Sequence, residues 1–194
     1  MKKLTHEDLM GLEVYARSRQ AFREKVMAHK KNRRVALGEH ASLYFEDALT
    51  MQYQVQEMLR LEKIFEANGI QDELDVYNAL IPDGSNWKAT FMIEYHDVEE
   101  RKQALAKMCC IDKKIWVKVG NNDPVNPITN EDLERETEDK TSAVHFMRFE
   151  LTPEMVKQAK AGAKISMGVD HAFYQQSVDP LPENIRQALV KDLA

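Results

Sequence analysis

Arg34-Val35-Ala36-Leu37-Gly38-Glu39-His40-Ala41-Ser42-Leu43-Tyr44-Phe45-Glu46-Asp47 is the stretch in which the hydrophobic period of the chain changes from about 3.6 residues to about 2. Val35 and Leu37 alternate with Arg34 and Ala36. Leu43 and Phe45 alternate with Ser42, Tyr44 and Glu46, and Gly38-Glu39-His40 sits between the two runs. That pattern predicts a β-hairpin. Upstream the pattern is helical. Thr5 with Asp8 approximates a capping box ahead of Leu9 and Leu12, and a helix starting near Ser18 carries Phe22, Val26 and Met27. It ends in the basic run His29-Lys30-Lys31-Asn32-Arg33-Arg34.

Downstream, Asp47 is placed to cap the strongest helix of the chain, over 49–67, which Asn68-Gly69 closes. A shorter helix over 71–79 stops before Pro82. Strand patterns follow at 87–95, 114–119, 143–151 and 164–169, with a helix over 98–108 between the first two. Pro124 and Pro127 lead towards an acidic helix over 131–138. Thr152-Pro153-Glu154 opens a helix with Pro at its first position, and a last helix carries Ile185, Leu189 and Leu193. Strands grouped between helices without regular βαβ alternation indicate an α+β fold. The expectation is a single domain over 1–194, its helical arm 1–31 packed on it. A mostly antiparallel sheet of about five or six strands should pack against the central helix and flanking helices.

Composition narrows the function classes. The 194 residues carry a net charge of −5, are 43% hydrophobic and 30% charged, and so suit an ordinary globular chain. No apolar run approaches the ~18 residues of a membrane helix. The basic tip of Met1-Lys2-Lys3 is followed by no apolar segment of the secretory kind. The two cysteines, Cys109 and Cys110, are adjacent, which offers neither a disulfide framework nor a CxxC clamp. A cytoplasmic protein is expected, with both thiols buried as small apolar groups. Arg23, Lys25, Lys30, Lys31, Arg33 and Arg34 form a basic patch, read first as a solvated helix end.

The central helix places charge where apolar residues belong. Met51, Val55, Met58 and Phe65 follow one helical line, and Glu62 falls on it, with Glu57 at its edge. A buried carboxylate needs a partner. Along the late strands His145 shares its parity with Met147 and Phe149, and Arg148 with Val144 and Phe146. His171 extends the line of Ile165, Met167 and Val169, and Glu94 that of Thr90 and Met92. The binding-pocket candidates are therefore Glu57, Arg60, Glu62, Glu94, His145, Arg148 and His171. Glu62, His145 and His171 are a donor set that a divalent metal, zinc or iron, would use. An organic alternative has Arg60 and Arg148 holding a carboxylate or phosphate, with His145 as acid or base. The spacing leaves the two open, and an internal ion pair at Glu62 is the plainer reading of that residue.

Several strings of the chain resemble a bacterial family catalogued as domain of unknown function 3501. They are Arg33-Arg34-Val35-Ala36-Leu37-Gly38, Tyr53-Gln54-Val55-Gln56-Glu57-Met58-Leu59-Arg60-Leu61-Glu62, Tyr77-Asn78-Ala79-Leu80-Ile81-Pro82, Ser142-Ala143-Val144-His145-Phe146-Met147-Arg148-Phe149-Glu150 and Asp170-His171-Ala172-Phe173-Tyr174. The resemblance implies no activity. It implies a redox or oxidative-stress setting, because members are encoded near rubrerythrin-like and iron–sulfur oxidoreductase proteins, which become candidate partners. The expected role is an accessory or binding protein with a polar Glu/His/Arg pocket. The first alternative is a metal-dependent enzyme acting on a small anion. Nucleic-acid binding through the basic patch ranks last, given the negative net charge.

Overall fold

The computed structural model describes residues 2–129, 131 and 140–194, so the helix expected over 131–138 lies, apart from Glu131, outside the described residues. A short 3-10 turn at His6–Asp8 leads to helix α1 (Leu12–Lys30), one helix where two were expected. The predicted hairpin is present as β1 (Arg34–Ala36) and β2 (Ala41–Phe45), with Val35 opposite Leu43. Gly38 makes the turn with φ +74°, and a Cβ there would stand 2.6 Å from the Tyr174 hydroxyl. That hydroxyl donates to Leu37 O at 2.6 Å and accepts from His40 N–H at 3.1 Å.

Asp47 caps α2 (Ala48–Glu62) as expected, accepting from Thr50 N–H at 2.9 Å while its own N–H donates to Thr50 Oγ1 at 2.9 Å. The helix is shorter than predicted. Lys63 turns into the left-handed region at φ 56°, and α3 (Ala67–Asn78) starts afresh. The apolar line therefore breaks: Glu62 and Phe65 are both exposed, Phe65 by 74%.

The remaining elements are β3 (Asn86–Ile93), α4 (Val98–Lys107), β4 (Ile115–Val119), β5 (Ile128–Thr129), β6 (Val144–Glu150), α5 (Pro153–Lys160), β7 (Ile165–His171), β8 (Tyr174–Val178) and α6 (Glu183–Val190). The fold is α+β, with two antiparallel sheets rather than one. Five strands run in the order β1-β2-β3-β6-β5, and β4-β7-β8 form a separate three-stranded sheet. The main core lies between them, where Val35, Phe45, Phe91 and Phe149 meet Val117, Ile165 and Met167. Ala104, Met155 and Leu189 of α4, α5 and α6 close its margins. The central helix does not fill this core. Its neighbours are α1 and α3, and Met51, Val55 and Leu59 form a second cluster with Leu4, Leu74 and Ile81.

Arg33, read from its basic run as a surface residue, is 2% exposed. Its Nε donates to Phe45 O at 3.0 Å, Nη2 to Glu46 O at 3.0 Å and Nη1 to Ala188 O at 3.3 Å. Nη2 also bonds the Asp192 carboxylate, and Nη1 lies 3.4 Å from that of Asp47. One guanidinium thus ties the hairpin and the start of α2 to the C-terminal helix. Removing one member of a buried charge network costs about 3–5 kcal/mol, whereas an apolar pair of similar size can replace it at little cost. Arg33→Ala should therefore lower the urea-denaturation free energy by roughly that amount, and Arg33→Met with Asp192→Leu should recover part of it, since Asp47 keeps only His29 as its charged partner.

Candidate functional site

The polar side chains divide among separate places. On the helical layer, Tyr15 is fully buried and its hydroxyl donates to Glu57 Oε1 at 2.6 Å. Arg19 grips the same carboxylate through Nε and Nη2, both at 2.8 Å, and Arg60 stands 3.5 Å away. The Arg19 bonds, reinforced by Tyr15 and Arg60, outweigh burial and hold the Glu57 carboxyl down at about 2. Burial and the Glu57 bond push the Tyr15 phenol up. This cluster joins α1 to α2, so Glu57 and Arg60 are engaged with each other and with α1, remote in the fold from the late strands.

The proposed metal donors are not brought together. Glu62 is exposed at the end of α2. His145 is fully buried on the core face of β6, its Nε2 3.0 Å from Thr141 Oγ1 and 3.0 Å from Ser142 O. His171 belongs to the other sheet; its Nε2 lies 3.0 Å from Cys109 O and its Nδ1 accepts from Phe173 N–H at 3.1 Å. Among the described residues, no three His, Cys, Asp or Glu side chains are arranged to hold a metal ion. Glu94 lies past the end of β3, exposed, 3.6 Å from Arg34. Cys109 is half-buried and Cys110 exposed, against the expectation that both would pack inside.

Arg148 is the candidate that lies at an opening. It projects from the outer face of β6, and β3 places Lys88 directly opposite it in register. Like charges facing across two strands repel. Glu131 answers them with a two-point grip on the guanidinium, Oε2 at 2.9 Å from Nε and Oε1 at 2.6 Å from Nη2, and Glu150 bonds Nη1. These bonds hold the Arg148 guanidinium firmly protonated. Burial pushes the Lys88 ammonium down, with Asp83 and Glu131 opposing and Arg148 adding to the fall; its Nζ donates to Ala79 O at 2.5 Å. Val76 of α3, Leu80 in the turn after it and Phe146 of β6 complete a pocket of about 480 Å3. An apolar body with a few convergent polar groups is the usual makeup of a small-molecule site. Lys88, not Arg60 or His145, is thus the neighbour of Arg148. Its parity with Thr90 and Met92 was readable, but its register against Arg148 was not.

A family model described as "Protein of unknown function (DUF3501)" matches residues 3–193. The chain belongs to this family. It also matches a crystal structure of a novel protein of unknown function from Burkholderia pseudomallei K96243. The two are 46% identical with a TM-score of 0.93, over 100% of each chain. No functionally curated protein matches. Family membership thus carries the fold and leaves activity open.

A second polar cleft, of about 350 Å3, opens beside Arg33, where His29 Nε2 lies 2.5 Å from Asp47 Oδ2 and Asn184 and Gln187 form the opposite wall. Burial pushes Asp47 up, but the Arg33 charge, the Thr50 N–H and His29 bring it below the ordinary carboxylate range. Asp192 shares that guanidinium, and burial raises its carboxyl to about 6 despite Arg33. A carboxyl raised on folding contributes stability that is present below its unfolded value and is lost as pH rises through the folded one. Asp192→Asn lacks this titration. Its thermal midpoint should therefore rise relative to the native protein between about pH 4 and 6, and the difference should level off above about pH 7.

Proposed function

We propose that the protein is a binding protein that takes a small monocarboxylate with an apolar body in the pocket between α3 and the outer face of the five-stranded sheet. The observation that carries this reading is the in-register pair Lys88 and Arg148, with a carboxylate already seated on the guanidinium fork. Two parallel N–H···O bonds to a planar carboxylate are the geometry Arg favours. Glu131 occupies that fork from the same chain, and its carboxylate is the internal counterpart of the ligand's head. Val76, Leu80 and Phe146 supply the surface for an aliphatic or aromatic body. Lys88 adds a second positive charge beside the head.

The role fits the accessory class expected from the sequence, with binding in place of turnover. A cytoplasmic setting is supported by the two adjacent cysteines, neither of them in a disulfide and one exposed, which suit a reducing compartment.

The test is calorimetric titration with hexanoate, octanoate and benzoate, with acetate and inorganic phosphate as references. The longer and aromatic carboxylates should bind and acetate should not, because acetate leaves the apolar wall unused. Hydrogen bonds to a charged partner contribute about 1.5–3 kcal/mol, so Arg148→Met should weaken binding by about 10–100-fold. Glu131→Gln removes the internal competitor and should tighten it. Absence of saturable binding to both the native protein and Glu131→Gln would overturn the proposal, as would binding indifferent to Arg148.

A further inference from the structure

Lys88 is placed unlike an ordinary surface lysine. Lys2, Lys102 and Lys164 keep their side chains more than half in water. Lys88 is half-buried on β3, in a pocket walled by Val76, Leu80 and Phe146. Its direct partner across the ladder is another cation, Arg148. Burial pushes its ammonium below the ordinary lysine range; Arg148 and, more weakly, Lys3 add to the fall, and Asp83 and Glu131 oppose it. Apolar surroundings and an adjacent cation are the two means by which proteins free a lysine lone pair for attack on a carbonyl group.

The nitrogen is also held in place. Nζ donates to Ala79 O at 2.5 Å, and Ala79, in the turn after α3, itself lines the pocket. One N–H is fixed on that carbonyl. Around a tetrahedral nitrogen, the lone pair exposed by deprotonation therefore points elsewhere than at Ala79 O. The Cβ atoms of directly opposed residues in an antiparallel pair stand roughly 5 Å apart. A carboxylate seated on the Arg148 fork thus brings the ligand atom next to it within the sweep of the Lys88 stem.

We propose that the ligand is a 2-oxo acid with an aliphatic or aromatic body, and that the pocket captures it reversibly as an imine on Lys88. This rests on the carboxylate site proposed above and names the group beside the carboxylate. The Lys88 lone pair adds to the carbonyl carbon while the C=O π pair moves to oxygen, which gives a carbinolamine. The oxygen then leaves as water and a C=N bond forms. Counted from the ammonium, two nitrogen protons depart with the carbonyl oxygen, the positive charge stays on nitrogen, and nothing is oxidised or reduced. The iminium keeps one N–H, and Ala79 O accepts from it as it does from the free side chain. Arg148 binds the carboxylate, and Val76, Leu80 and Phe146 cover the body.

The test is reductive trapping. The full chain is incubated with 2-oxohexanoate and sodium cyanoborohydride, digested, and mapped by mass spectrometry. Hydride adds to the iminium carbon, so a trapped lysine gains the mass of the acid less one oxygen atom. The adduct should form on Lys88. Hexan-2-one, which has the body without the charged head, should be trapped at least about tenfold more slowly, and saturating octanoate should suppress the 2-oxohexanoate adduct. Lys88→Arg keeps the charge without the nucleophile and should abolish the adduct. Arg148→Met keeps the amine and should slow trapping by about 10–100-fold, whereas Glu131→Gln should speed it. An adduct spread evenly over exposed lysines, or one on Lys88 indifferent to Arg148→Met, rules the imine site out. So does the absence of any Lys88 adduct in both the native protein and Glu131→Gln. A parallel calorimetric titration with octanoate then separates the two claims: octanoate binding without trapping removes the covalent step alone, and the loss of both removes the carboxylate site with it.

Discussion

The Arg33 guanidinium is the contact on which the arrangement of the other elements depends. It leaves the chain between α1 and β1, and its four hydrogen bonds reach the end of β2, the residue before the Asp47 cap, α6 and Asp192 just past it. A cation removed from water this completely persists only if its charge and all its donors are answered. Asp47 and Asp192 answer the charge, and carbonyl oxygens answer the donors that remain. The demand is geometric as much as electrostatic. Asp47 must be an N-cap, so α2 must start there, and Asp192 must be near, so α6 must return to the hairpin. Trp87 secures the same return, its indole N–H donating to Leu189 O at 2.9 Å. With the C-terminal helix tied to the hairpin and to β3, Arg148 on the outer face of the five-stranded sheet is left beside Leu80, just past α3, and Glu131.

Sheet register then creates the charge pair that sequence order conceals. Lys88 and Arg148 are sixty positions apart in the chain. They meet because β3 and β6 pair with Ala89 opposite Met147 and Phe91 opposite His145. The same register sends His145 into the core and Arg148 outward, since successive side chains alternate faces. This is why the histidine and the arginine cannot share one site, although a single short string of sequence holds both.

What could be read from the sequence followed from local physics. The hairpin, the Asp47 cap, the Pro153 helix start and the alternating strands of β3, β4 and β6 all declare themselves within a few residues. The errors occur where a local pattern continues past a break or where its partner is remote. The apolar line through Met58 and Phe65 runs smoothly across Lys63, yet the backbone reverses there, so Glu62 is exposed rather than buried. β8, Tyr-Gln-Gln-Ser-Val, is a mostly polar edge strand without an apolar alternation to reveal it, and its absence merged two sheets into one. Arg33 looked like its basic neighbours, because nothing local distinguishes the member of a run that turns inward. Of the candidate residues, Glu57 and Arg60 lie together on α2 while Arg148 stands apart on β6 with Lys88 and Glu131, so the seven do not form one pocket.

The charged clusters that remain differ in one respect that separates support from function. Around Arg33 and around Glu57, each charge meets its opposite inside the protein, and the partners come from elements that must be held together. Additional ligands would have to break bonds that the fold itself requires. At Arg148 the balance is different. The fork is filled by Glu131, whose side chain is half in water, and the space beside it is walled by Val76, Leu80 and Phe146. An exposed ion pair of this kind contributes on the order of 0–1 kcal/mol, so exchanging one carboxylate for another costs the fold little. In the proposed role, the apolar wall favours an incoming ligand over the internal one, because the two methylenes of Glu131 are a far smaller apolar body than an aliphatic chain or aromatic ring. Weak internal occupancy beside unfilled apolar surface is thus the physical condition for exchange, and among the clusters described it is met where Lys88 and Arg148 face each other.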